Sequence, residues 1–138
     1  MQDGENMRRY ATRQVTLLLG RLAFEVRKTI KMPGAETVHD LRVAIRRFSQ
    51  SLRVFSSFFP QKERRKVRRV LDLFMELSSE VRNRDIALEL LESHSTSLPS
   101  ILTRFRAERE QAERELSDSL RRWTHNGSSS RWRAGLSL

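Results

Sequence analysis

Residues 37–60, TVHDLRVAIRRFSQSLRVFSSFFP, decide the fold. At helical spacing this stretch carries two stripes. Val38, Leu41, Ile45, Phe48, Leu52, Phe55 and Phe59 step by three or four and form an apolar seam. His39, Arg42, Arg46 and Arg53 form a basic row beside it, offset by one residue or about 100° of helix turn. The seam predicts a face turned to a core. The row spans about 21 Å at ~1.5 Å per residue, a length suited to an extended anion.

The flanking chain repeats the apolar half of this pattern. Val15, Leu18, Leu19, Leu22, Val26 and Ile30 predict a first helix from about Asn6 to Lys31, stopped by Met32-Pro33-Gly34. Thr37 and Asp40 match a capping box, which would start the second helix at Thr37 and put His39 in its first turn, where free N–H groups attract anions. Pro60 ends that helix. A third opens with Lys62, Arg64, Arg65, Lys66, Arg68 and Arg69, continues through Val67, Val70, Leu71, Phe74 and Leu77, bends at Ser78-Ser79 and runs to about Glu92. Residues 93–99 read as a loop. Leu98, Ile101, Leu102, Phe105, Ala112, Leu116, Leu120 and Trp123 give a fourth seam, with i,i+4 charge pairs on its outer face. The Gly/Ser-rich tail, 126–138, reads as disordered, leaving 1–125 as the domain. Long helices with short connections predict an all-α antiparallel four-helix bundle. In it the basic opening of the third helix would lie alongside Arg46 and Arg53.

The 138 residues suffice for a core without staples, and there are no cysteines to form disulfides or thiolate metal sites. No stretch is long and apolar enough for a membrane span, and the first residues lack the apolar region of a secretion signal. A cytoplasmic protein is the expectation. Net charge is +10. Residues 1–70 hold 17 Lys/Arg against 6 Asp/Glu, whereas residues 71–138 hold 10 against 11, so the excess lies in the first half. That asymmetry predicts a polyanionic partner. No phosphate-binding glycine loop, zinc motif or Ser/His/Asp arrangement is present, and His39, His94 and His125 share no metal-ligand spacing. Neither an enzyme nor a metal or cofactor is expected.

Two segments carry a resemblance. VHDLRVAIRRFSQSLRVF, residues 38–55, resembles the signature helix of the conserved histidine α-helical domain (CHAD) family. LSSEVRNRDIALELL, residues 77–91, is similar to that family's second motif, with Ser78 in place of the usual Gly and Asn83 in place of the usual Asp. The resemblance implies a non-catalytic helical domain that binds inorganic polyphosphate. It places His39, Arg42, Arg46, Arg47 and Arg53 on the ligand, adds Arg82 from the second motif, and gives Asp85 the supporting task of orienting an arginine. The adjoining helix would contribute Lys62, Arg65, Lys66 and Arg69. The family domain usually has two related halves and this chain has one, so a homodimer that rebuilds the pair is expected. It also implies an association with polyphosphate granules. Two alternatives use the same row. One is nonspecific nucleic-acid binding, since phosphate contacts carry no sequence information. The other is histidine phosphotransfer: HDLRVAI, residues 39–45, resembles a histidine kinase box, but Val43 and Ala44 stand where Ser/Thr and Pro belong.

Overall fold

A computed structural model describes residues 2–94 and 99–138. The fold is all-α. In chain order the helices are α1 (Gln2–Lys31), α2 (Ala35–Val54), α3 (Gln61–Ser93), α4 (Pro99–His125) and α5 (Ser128–Gly135), with a 3₁₀ turn at Ser56–Phe58. Sequential helices run antiparallel. Lys28 Nζ of α1 reaches Asp40 of α2 at 3.2 Å, while Tyr10, near the other end of α1, meets Phe55 edge-on at 5.9 Å. Arg109 of α4 pairs with Asp85 of α3, and Arg106 with Glu92.

The expected seams supply the core. Val38, Leu41, Ile45, Phe48 and Leu52 of α2 are buried with Val15, Leu19, Leu22 and Val26 of α1 and with Val67, Leu71 and Phe74 of α3. Periodicity finds these positions because one face of each helix loses its water. Burial is uneven along the α3–α4 hairpin. Leu116, Leu120 and Trp123 are buried, but Ile101 is exposed, as are Ile86 and Leu90 opposite the start of α4. The seam position Leu98 and most of the expected 93–99 loop lie outside the described residues.

Three sequence expectations need correction. First, α2 starts at Ala35 with Gly34 as its N-cap, not at Thr37. Thr37 Oγ1 donates back to the Met32 and Gly34 carbonyls at 2.9 and 3.1 Å, tying down the end of α1 instead of capping α2. His39 therefore sits in the second turn, where backbone N–H groups are already bonded within the helix. Second, α3 does not bend at Ser78-Ser79; it is continuous, and the two hydroxyls serve a neighbour, as described below.

The third is the tail, which is a helix. Gly127, in the left-handed region at φ 64°, turns the chain after α4. A side chain would be strained there, so glycine suits the reversal. The turn lays α5 across the core. Trp132 is 9% exposed, stacks on Phe48 with ring centroids 6.0 Å apart and meets Trp123 edge-on at 5.3 Å. Leu136 is also buried. Composition suggested disorder, but two large apolar side chains four residues apart bury enough surface to hold a short helix.

Candidate functional site: the cleft between α2 and α3

The basic row of α2 and one face of α3 line a common cleft. On α3, residues 61, 64, 65, 68, 72, 75, 79 and 82 recur at three or four and share that face. On α2 the matching residues are 42, 46, 49 and 53. Near the α2–α3 turn the cleft opens into a groove of about 350 Å³. Arg53, Ser49 and Ser56 wall it on one side, and Gln61, Arg64, Arg65, Arg68 and Asp72 on the other. Arg64 is braced by its Nε, which donates to the Phe59 carbonyl at 3.2 Å. Arg53, Arg65 and Arg68 are exposed and make no ion pair within the chain among the described residues. Four guanidinium groups around one groove make an anion site: each is permanently charged and presents forked donors matched to phosphate oxygens.

Farther along the cleft lies a second group. Arg42 is 9% exposed. Its Nη1 donates to the Met75 carbonyl at 3.0 Å, to Ser78 Oγ at 2.9 Å and to Ser79 Oγ at 2.6 Å. Arg42 thus clasps α2 to α3. The serine in place of glycine at 78 supplies one of its acceptors. Burial, then the charges of Arg46 and Arg82, lower the pKa of Arg42 below the ordinary arginine value. Like charges so close favour any anion that enters between them.

The structure sorts the remaining expected residues. Arg46 and Arg82 act on Arg42 from opposite sides of the cleft and are exposed. His39 is exposed on the next turn of α2. Arg47 points about 100° away from Arg46 around the helix. Lys62, Lys66 and Arg69 are exposed on the outer side of α3 and do not line the groove; Lys66 Nζ reaches Glu63 Oε1 at 3.4 Å. Arg64 and Arg68 do line it, and the sequence reading passed over them. Their shared spacing with Gln61 and Asp72 was the available signal, but only the register of α2 against α3 tells which side of a basic run faces inward.

Asp85 lies away from the cleft. Arg109 Nε donates to its Oδ1 at 2.6 Å, and Arg109 also pairs with Glu113. Burial opposes the charge on Arg109, but the hydrogen bond and charge of Asp85, with Glu113, raise its pKa above the ordinary value. Asp85 therefore does orient an arginine, one that joins α3 to α4.

Comparison with known families gives one match: the model of the CHAD domain, over residues 13–136. The chain belongs to the CHAD family. The match takes in α5 as well as the four long helices, in keeping with the docking of Trp132. CHAD domains are generally binding domains associated with polyphosphate. No curated protein and no solved structure matches the chain. Among the described residues no helix is long and apolar enough to cross a membrane.

Proposed function

We propose that this CHAD domain binds inorganic polyphosphate, without catalysis, along the α2–α3 cleft. The observation that carries this reading is the groove lined by Arg53, Arg64, Arg65 and Arg68 on the same side of the molecule as Arg46 and Arg82. A linear polyanion can engage both groups, whereas a single phosphate would fill only one. Arg42 holds the walls together, so its contribution to affinity comes mainly through geometry. His39, Arg47, Lys62, Lys66 and Arg69 border the cleft and add to its field. Aromatic rings do not line the groove, so there is no platform for stacked bases. A homodimer that brings two such clefts together, and residence in the cytoplasm at polyphosphate granules, belong to the same proposal.

Competition at fixed salt tests the ligand. Long-chain polyphosphate should displace duplex DNA from the protein at equal phosphate concentration. Displacement in the reverse direction would make nucleic acid the ligand. Acid-labile phosphate on His39 after incubation with a phosphodonor would replace binding by phosphotransfer. Light scattering during the titration reads the dimer.

A further inference from the structure

The cleft contains a residue that a plain anion site would not keep. Asp72 lines the groove one helical turn beyond Arg68, and across from it stands Ser49, one turn before Arg53. Along the cleft this carboxylate separates the Arg53/Arg65/Arg68 group from the Arg42/Arg46/Arg82 group. Asp72 is exposed and makes no ion pair among the described residues, although arginines line the same groove. A polyanion following the cleft must pass it, and a phosphate beside a free carboxylate is repelled. A divalent cation removes that repulsion. Hard cations such as Mg²⁺ are commonly held by one or two carboxylates together with phosphate oxygens.

We infer that Asp72 is a metal-bridging residue, and that the cleft takes polyphosphate with a divalent cation shared between the Asp72 carboxylate and the chain's phosphate oxygens. The inference rests on the polyphosphate reading above. The described residues contain no group of three or more His, Cys, Asp or Glu that could hold a metal. The cation therefore arrives with the ligand, and the protein contributes a single oxygen donor group with the Ser49 hydroxyl nearby. The consequence is selectivity. The metal-complexed polymer, not the bare one, fits the whole length of the cleft.

The full chain and its Asp72→Asn variant are titrated with long-chain sodium polyphosphate by calorimetry, once in EDTA and once in millimolar MgCl₂, with ionic strength matched by NaCl. In EDTA the variant should bind about fivefold tighter, the size expected for removing one like-charge contact near a surface. In Mg²⁺ that advantage should vanish or reverse, because only the wild type gains a bridge. An affinity ratio between variant and wild type that is the same in both buffers overturns the metal bridge while leaving polyphosphate binding intact. Absence of wild-type binding in both buffers overturns the polyphosphate reading and the bridge with it. Arg53→Ala serves as the control, losing affinity in both buffers alike.

Discussion

Arginine is used in opposite ways on the two sides of α3. Facing α4, nearly every arginine has a carboxylate. Arg84 reaches Glu80 and Glu108 at 3.6 and 3.5 Å, Arg104 reaches Glu108, Arg106 reaches Glu92, and Arg109 is held between Asp85 and Glu113. Facing α2, Arg53, Arg65, Arg68 and Arg82 make no such pair among the described residues, and Arg42 is satisfied by a carbonyl and two hydroxyls without being neutralised. The first side closes its charges internally and becomes part of the scaffold. The second leaves positive charge uncompensated over a groove, and uncompensated charge is what a polyanion can neutralise. The same residue type marks structure in one place and a site in the other; what differs is the presence of a partner.

Mutations can break that contrast. The largest effect on binding is expected from Arg53→Ala combined with Arg68→Ala. Each removes a charge-assisted contact worth about 1.5–3 kcal/mol, so polyphosphate affinity should fall by more than a hundredfold with little change in melting temperature. Unchanged affinity by calorimetry would show that the groove is not the site. Arg42→Ala should act mainly on the fold. Losing a partly buried donor that serves three acceptors should cost about 1–3 kcal/mol in urea unfolding, with affinity falling as a consequence of loosened walls.

Arg109→Ala should lower stability by about 1–2 kcal/mol, because it leaves Asp85 and Glu113 facing one another, and should leave polyphosphate affinity unaltered. The raised pKa of Arg109 fixes the pH behaviour of this clasp. On the arginine side its contribution is fully present below the unfolded value and is lost only as pH rises through the still higher folded one, so Arg109 adds no pH dependence near neutrality. The smallest effect belongs to Arg104→Ala. Its side chain is 75% exposed, and an exposed pair of this kind is worth under about 1 kcal/mol. Binding should not move at all. If Arg104→Ala weakened polyphosphate binding as much as Arg53→Ala, net charge alone would explain the affinity and the contrast between the two sides would collapse.

The four long helices and most of their buried seams were legible in the sequence, because apolar side chains at three-and-four spacing can leave water together on only one face. Val38, Leu41, Ile45 and Phe48 were found in this way. The same logic overreached at Ile101, where the partner face runs out and periodicity has nothing to pack against. It undervalued Trp132 and Leu136, whose core is remote in sequence. The family was legible too, in the residues of α2 and the middle of α3.

What the sequence alone determined, then, is an all-α chain of amphipathic helices with its excess positive charge in the first half and a basic row on α2. Those are properties of local spacing and composition. Only the tertiary structure decided which arginines face the cleft and which are tied up. Arg42 turned from ligand contact to clasp because Met75, Ser78 and Ser79 stand opposite it. Arg64 and Arg68 entered the groove, while Lys62, Lys66 and Arg69 stayed outside. Asp72 came to lie among arginines. Each of these depends on the register of one helix against another, and register is set by the packing of both apolar faces at once rather than by either helix alone.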